Sequence, residues 1–168
     1  MPISNLRQLF HHELADLYSA EQQITDALPK MIAQASDDKL KSALSEHLDV
    51  TNQQISRLDT IAEEIDYEMA NVECVGMRGI LDEGRKMLQE VNDSDTKDAA
   101  IISAAQRVEH YEIAAYGAAV AYAKQLNLGN VVDLLQQTLS EEKDADKSLT
   151  QLATGGFFSG GVNMDAAQ

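Results

Sequence analysis

The run of residues 107–116 constrains the fold more than any other part of the sequence. It reads Arg-Val-Glu-His-Tyr-Glu-Ile-Ala-Ala-Tyr and lies in an alanine-rich segment that favours a helix. At helical spacing, Glu109 and Glu112 fall in the middle of an apolar stripe that extends from Ile102 to Ala119. An ionised carboxylate that is buried without a partner costs several kcal/mol. Each glutamate must therefore be neutralised by a proton, a cationic side chain or a metal ion.

The same pattern of an apolar stripe with polar residues near its midpoint recurs in three other predicted helices. The four long helices are expected at about residues 6–32, 39–64, 95–127 and 130–153, with Asn5 as the first N-cap. The inward polar residues are Glu21 from the first helix, His47 and Gln54 from the second, Glu109 and Glu112 from the third, and Glu142 and Asp146 from the fourth. No Lys or Arg is expected on these faces to compensate the acids.

The connections between the predicted helices indicate an all-α, antiparallel four-helix bundle. Short loops join the first helix to the second and the third to the fourth, so each pair should be antiparallel. Residues 65–95 carry an extra short helix at about 75–91, as a long crossover requires. We predict one bundle domain over residues 1–154 and a loosely ordered C-terminal tail over residues 155–168.

The charge of the chain excludes several classes of partner. With 28 acidic and 13 basic residues, the formal net charge is −15, which disfavours nucleic acid and anionic membrane surfaces. Cys74 is the only cysteine, so no internal disulfide can form. No signal peptide and no apolar run of bilayer length is visible, and a cytoplasmic location is therefore expected.

Five carboxylates and one imidazole on the inward faces favour a metal centre. Hard oxygen ligands and a histidine, supplied by several helices, are how a bundle core holds iron or manganese. The alternative is that each glutamate is a boundary residue that reaches water and that His47 is a hydrogen-bonded core residue. Because faces are assigned to within about one position, Glu46, Asp49 or Glu141 could replace a neighbour. Tyr18 and Tyr116 either hydrogen-bond the acids or simply pack.

Four segments resemble the YciE/YciF family of bacterial stress proteins. They are Ala-Asp-Leu-Tyr-Ser-Ala-Glu-Gln-Gln at 15–23, Glu-His-Leu-Asp-Val-Thr-Asn-Gln-Gln at 46–54, Val-Glu-His-Tyr-Glu-Ile-Ala-Ala-Tyr-Gly at 108–117 and Leu-Ser-Glu-Glu-Lys at 139–143. The resemblance covers about residues 4–153, and the third segment is its most specific part. It implies a ferritin-like bundle, a homodimer, a role in stress responses and a di-metal site similar to those of rubrerythrin and ferritin.

The resemblance also implies a set of metal ligands and a chemistry. The expected ligands of a dinuclear iron or manganese centre are Glu21, His47, Glu109, Glu112, Glu142 and Asp146. The implied activity is that of a ferroxidase or a catalase-like enzyme, with peroxide or dioxygen as the oxidant.

Two departures from the family pattern keep a second reading open. Val50 stands where the family commonly has an acid, and the Glu-x-x-His pair typical of di-iron bundles occurs nowhere in the chain. The alternative is a non-catalytic structural or interaction bundle with a vestigial metal site. Iron storage in a large cage is a weaker third alternative, since nothing in the sequence indicates cage contacts.

Overall fold

The computed structural model describes residues 3–155 and 160–168, and within these residues every regular element is an α-helix. The helices are α1 (Leu6–Gln34), α2 (Asp38–Glu64), α3 (Val75–Glu90), α4 (Ser94–Gln125), α5 (Gly129–Thr154) and α6 (Val162–Asp165). The four long helices and the extra short one all begin and end within two residues of the predicted bounds.

Side-chain caps explain where the long helices begin. Asn5 Oδ1 accepts a hydrogen bond from Gln8 N at 2.9 Å, which confirms the predicted N-cap of α1. Aspartates cap α2 and α4 in the same way, since Asp37 accepts from Leu40 N and Asp93 accepts from Thr96 N. Each cap satisfies an amide that has no partner within its own helix.

Contacts at the two ends of the bundle fix the helix directions. Asp98, in the second turn of α4, accepts hydrogen bonds from the amides of Ser36 and Asp37 in the α1–α2 loop, both at 2.7 Å. At the other end, Phe10 near the start of α1 shares a cluster with Ala123 near the end of α4. Helices α1 and α4 are therefore antiparallel, whereas α2 and α4 run in the same direction.

The direction of α4 makes the crossover necessary. Since α2 and α4 run in the same direction, the chain must travel back along the bundle between them, and residues 65–93 do this with α3 packed on α1 and α4. The neighbouring pairs α1–α2, α2–α5, α5–α4 and α4–α1 close the four-helix bundle. The predicted all-α, ferritin-like antiparallel bundle with a helical crossover is confirmed.

A polar layer divides the apolar core into two parts. One cluster contains Ile24, Leu44 and Ile102, and the other contains Leu17, Leu58 and Leu135. Between them lies a level of buried polar side chains, which are Glu21, Thr51, Gln54, Glu109, Glu112, Thr138 and Glu142. The bundle thus places these seven side chains at mid-height, far from either end.

The C-terminal region includes α6, whose Val162 is buried and which packs on α4 and α5. Residues 156–159 lie outside the described residues, so the predicted boundary at residue 154 and the loosely ordered tail stay predictions. None of the helices that the structure describes is long and apolar enough to cross a membrane.

Candidate metal centre

The polar layer brings together acidic side chains from three of the four long helices and a histidine from the remaining one. Glu109 and Glu112 are three residues apart on α4 and therefore share one face of that helix. Glu21 comes from the middle of α1 and Glu142 from the middle of α5, while α2 supplies His47. All four glutamates are at most 2% exposed.

Four of these side chains form a compact group with the spacing of metal ligands. One ligand atom from each of His47, Glu109, Glu112 and Glu142 can be chosen so that all four lie within 4.8 Å of one another. His47 Nε2 and Glu109 Oε1 are 3.3 Å apart. A single ion at the centre of such a group can contact several of these atoms, because metal–oxygen and metal–nitrogen distances are about 2.0–2.2 Å.

Glu21 adjoins this group through Glu112. After burial, the charge of Glu21 raises the pKa of Glu112, and the charge of Glu142 raises the pKa of Glu109 in the same way, so the carboxyl groups interact as two pairs. The Tyr116 hydroxyl donates a hydrogen bond to Glu21 Oε1, so one of the two tyrosines considered above does contact an acid of the site. The site therefore contains two carboxyl pairs, each of which needs a shared proton or a cation.

Most of the buried side-chain atoms without a hydrogen-bond partner belong to His47 or to the polar layer, Gln54 Oε1 among them, and the exception within the described residues is His11 Nε2. Among the described residues, no hydrogen-bond partner is found for Oε2 of Glu21, Glu109 or Glu142, for either oxygen of Glu112, or for His47 Nε2. Buried polar atoms are nearly always paired in native proteins, so this concentration of unpaired atoms is unusual. Carboxylate oxygens and an imidazole nitrogen are also the ligand types that iron and manganese accept. The donor set therefore fits a metal centre.

Burial changes the ionisation of these groups in opposite directions. It raises the pKa of Glu21 to about 8, assisted by the charge of Glu142 and opposed by the hydrogen bond from Tyr116. It also raises the pKa values of Glu109 and Glu112 well above their usual range. Burial lowers the pKa of His47 to about 4, which keeps the imidazole neutral and able to donate a lone pair.

We expected no Lys or Arg on the inward faces, and Arg57 lies just beside that of α2, from where it still brings a positive charge close to the acids. Its guanidinium forms a two-pronged ion pair with Glu141, with distances of 2.8 and 3.0 Å. The positive charge partly offsets the rise in pKa that burial causes at Glu21 and Glu142. The hydrogen bonds of the guanidinium, however, go to Glu141 and Thr138. The backbone of Arg57 lies beside the inward stripe of α2, and its long side chain extends from there to the site. Assigning residues to helix faces from the sequence does not show how far such a side chain extends.

Gln54 is a further neighbour of the centre. Its Nε2 donates hydrogen bonds to Glu142 Oε1 and, at 3.2 Å, to Glu141 Oε2. Glu141 is thereby engaged by three side chains, Arg57, Gln54 and Gln137, and lies at the edge of the site. Burial alone would raise the pKa of Glu141, but these hydrogen bonds lower it below its usual value. Glu141 is therefore an ionised side chain at the edge of the site.

Asp146 lies outside the group of four. It is one helical turn beyond Glu142, where its Oδ1 accepts a hydrogen bond from Gln106 at 3.1 Å and lies 3.4 Å from His110 Nε2. The structure thus brings together five of the six predicted ligands and directs Asp146 towards the surface between α4 and α5. Whether each residue binds metal stays a prediction.

Three other side chains considered as alternatives are also away from the centre. Glu46 and Asp49 are exposed on α2. Burial and, after it, the charge of the nearby Asp59 raise the pKa of Tyr18. Tyr18 therefore does not assist Glu21 in the way that Tyr116 does.

Known proteins resemble this chain over most of its length. The family model described as Domain of unknown function (DUF892) matches residues 5–166. Protein YciF of Escherichia coli strain K12 is 41% identical over 154 residues, which cover 91% of this chain and 93% of that protein.

Three solved structures have a similar fold. YcfI from Rhodopseudomonas palustris, provisionally assigned as a structural protein, is 42% identical with a TM-score of 0.88, covering 90% of this chain and 96% of its own. The E. coli stress protein YciF is 40% identical with a TM-score of 0.86, covering 89% and 95%. A protein from Xanthomonas campestris pv. campestris, 19% identical with a TM-score of 0.70 and covering 88% and 89%, shares the fold alone.

Proposed function

Since the chain belongs to the DUF892 family and gathers unpaired carboxylate oxygens at the centre of its bundle, we propose that it is a stress-response protein with a dinuclear iron or manganese centre. Bound there, the metal pair would supply redox chemistry in which peroxide or dioxygen is consumed and Fe(II) is oxidised. The stress-response role comes from the E. coli relative, a stress protein that shares 40% of its residues with this chain.

The strongest support for the metal proposal is that Glu21 and Glu142 each have one hydrogen-bonded oxygen and one oxygen without a partner among the described residues. Tyr116 holds one oxygen of Glu21, and Gln54 holds one oxygen of Glu142. In both residues the second oxygen has no partner in the described part of the chain. A carboxylate that is fixed through one oxygen presents the other in a defined direction, which is how neighbouring side chains orient metal ligands.

Glu112 has a different role in this arrangement. Both of its oxygens are unpartnered within the described residues, and it adjoins Glu21 on one side and the group of His47, Glu109 and Glu142 on the other. This position suits a glutamate that bridges two ions. Four ionised glutamates also carry four negative charges, which two divalent ions neutralise.

The protein supplies more than ligands. The apolar clusters on both sides of the polar layer exclude water, which strengthens every charge interaction within the layer. Burial keeps His47 unprotonated at neutral pH, and the Tyr116 hydroxyl holds its proton because burial and Glu21 raise its pKa. His47 would thus offer a lone pair to a bound metal ion, and Tyr116 would keep its hydrogen bond to Glu21.

The experiment that tests the metal is thermal unfolding of chelator-treated protein with and without added Mn2+ or Fe2+. Saturating metal should stabilise the wild-type protein by about 2.7 kcal/mol at one hundred times the Kd. Glu112→Gln and Glu142→Gln should abolish this increase, whereas Glu63→Gln, at an exposed position, should retain it. Asp146→Asn should also retain it, because Asp146 lies outside the group of four. A wild-type protein with no metal-dependent stabilisation would contradict the proposal.

A second candidate function is a non-catalytic structural or interaction bundle. It is favoured by the two carboxyl pairs, which can share protons when burial raises their pKa values, and by the structural assignment of YcfI. It expects the two glutamine variants to be at least as stable as the wild type and no metal dependence. A protein that binds metal but neither consumes peroxide nor oxidises Fe(II) would exclude the redox chemistry and leave the metal site standing.

A further inference from the structure

A cavity between α2 and α5 opens from the surface onto the candidate metal centre. It has a volume of about 250 Å³ and is lined by Ala43, Leu44, Glu46, His47, Val50, Glu109, Glu141, Asp144, Ala145, Ser148 and Leu149. Glu46, Asp144 and Ser148 are exposed and form its mouth, while the buried Glu109 and the mostly buried His47 form its floor. We infer that this cavity is the route by which a hydrated divalent cation reaches the centre, and that Glu46 and Asp144 bind the cation at the mouth. The inference rests on the proposed metal function.

The floor of the cavity carries the observation that points to a ligand. Glu109 Oε2 and His47 Nε2 are both buried and have no hydrogen-bond partner among the described residues. Both side chains line this cavity and also belong to the group of four. A cation that enters between α2 and α5 therefore meets two unpartnered ligand atoms first.

The size of the cavity distinguishes it from the neighbouring one. A water molecule occupies roughly 30 Å³ in the liquid, so a cation with six waters needs about 180 Å³, which the cavity provides. On the other side of His47 and Glu109, a cavity of about 10 Å³ is lined by Ile24, Leu28, Met31 and other apolar residues. That space is too small for a hydrated ion, and it has few oxygens to replace the water.

The charges at the mouth favour a cation. The acids that line the cavity are Glu46, Glu109, Glu141 and Asp144, and among the residues that the structure describes no Lys or Arg lines it. Glu141 is already paired with Arg57 and receives further hydrogen bonds from Gln54 and Gln137. Glu46 and Asp144 form no ion pair within the described residues, so they are the carboxylates available to an arriving ion.

The test is the rate at which chelator-treated protein takes up Co2+, followed by the change in the visible absorption of Co2+ in a stopped-flow instrument. The double variant Glu46→Gln with Asp144→Asn should bind the same amount of Co2+ about tenfold more slowly, since removing steering charges lowers association rates by this order. Ser148→Phe, which narrows the mouth from an exposed position, should slow uptake without changing the final amount bound.

Two matched controls separate a local effect from a general one. Glu83→Gln with Glu90→Gln removes the same charge from exposed positions on α3, and Ser45→Phe adds the same ring on α2 away from the cavity. Both should take up Co2+ at the wild-type rate. Equal rates in all variants, or equal slowing in the controls, would overturn the inference while the metal function stands. A wild-type protein that binds no Co2+, Mn2+ or Fe2+ would instead refute the proposed function.

Discussion

At the scale of single residues, the site depends on how burial changes the cost of ionising its glutamates. Glu21, Glu109, Glu112 and Glu142 are at most 2% exposed, and burial is the largest cause of the raised pKa of each. The metal-free protein can relieve this cost by retaining protons. A bound cation lowers the cost of burying the ionised glutamates, and it does so wherever the pH leaves these ligands deprotonated.

The metal-free protein should therefore lose stability as the pH rises from about 6.5 to about 8. The pKa of Glu21 is raised from 4.5 to about 8, so the folded protein holds a proton that the unfolded chain has released. Each such proton lowers the unfolding free energy by about 1.4 kcal/mol per pH unit. His47, whose pKa is lowered from 6.5 to about 4, has the opposite effect, but only below pH 6.5.

Urea denaturation in the presence of a chelator measures this slope. Glu21→Gln should reduce it, because the amide does not titrate. An unfolding free energy that is constant or increases across this interval would show that the folded protein does not hold these protons.

Val50 provides a second test at this scale, because it lines the cavity beside His47 and Glu109. Val50→Glu would place an additional carboxylate next to two predicted ligands. We expect it to tighten Mn2+ binding by about tenfold, or about 1.4 kcal/mol. Isothermal titration calorimetry measures the change, with Val50→Gln as an uncharged control of the same shape. Equal tightening in both variants would show that the carboxylate is not what binds.

At the scale of helices, the crossover is attached to the bundle by a small polar cluster at the start of α3. Cys74 Sγ lies 3.0 Å from both Asp16 Oδ2 and Tyr111 Oη, and Tyr111 Oη donates to Asp16 Oδ2 at the same distance. The amide of Cys74 donates to Ser19 Oγ at 2.9 Å. The cluster joins α3 to α1 and α4 one or two turns from the metal centre.

Gly76 allows this close approach, since a Cβ at that position would lie 2.7 Å from Tyr111 Cε2. Gly76→Ala should therefore destabilise the protein by about 1–3 kcal/mol, because the ring must move away from Cys74. Gly79, in the same helix, has nothing within 4 Å of its Cβ direction, and Gly79→Ala should stabilise by about 0.5–1 kcal/mol. Urea denaturation compares the two variants, and a neutral or stabilising Gly76→Ala would show that the contact does not hold α3.

At the scale of the whole molecule, two helical hairpins must align so that their polar midpoints meet. Asp98 is the most direct link at one end, where it accepts from two amides of the α1–α2 loop and is only 3% exposed. The other end is closed by apolar packing around Phe10 and Ala123. The homodimer implied by the family resemblance stays a prediction.

Asp98→Ala should lower the unfolding free energy by roughly 2–4 kcal/mol, because two amides lose a charged acceptor. Asp95 lies three residues earlier, in the first turn of α4, but is exposed, so Asp95→Ala should cost under about 1 kcal/mol through the helix dipole alone. Chemical denaturation of both variants gives the comparison. Equal losses would mean that Asp98 acts only on its own helix.

Much of the architecture could be read from the residue pattern, because helix formation and capping are local. The apolar period of 3.6 residues, the N-cap at Asn5 and the loop before Gly129 specify where helices begin and end. The same periodicity places Glu21, His47, Glu109, Glu112 and Glu142 on inward faces without any knowledge of the neighbours. The parallel direction of α2 and α4 also follows, because a connection of this length is what returns the chain along the bundle between two parallel helices.

The details of the site depend on distances between helices, which no single helix encodes. Asp146 shares the inward stripe of α5 with Glu142, yet the packing of α4 turns it towards His110 and Gln106. Arg57 extends to the site from beside the inward stripe of α2. Its ion-pair partner, Glu141, lies on α5 and can be identified only when the two helices are seen packed together. The sequence by itself determined that acids would be buried at mid-bundle. Only the tertiary structure decided which oxygens remain unpartnered and where a cavity reaches them, because both depend on how side chains from separate helices meet.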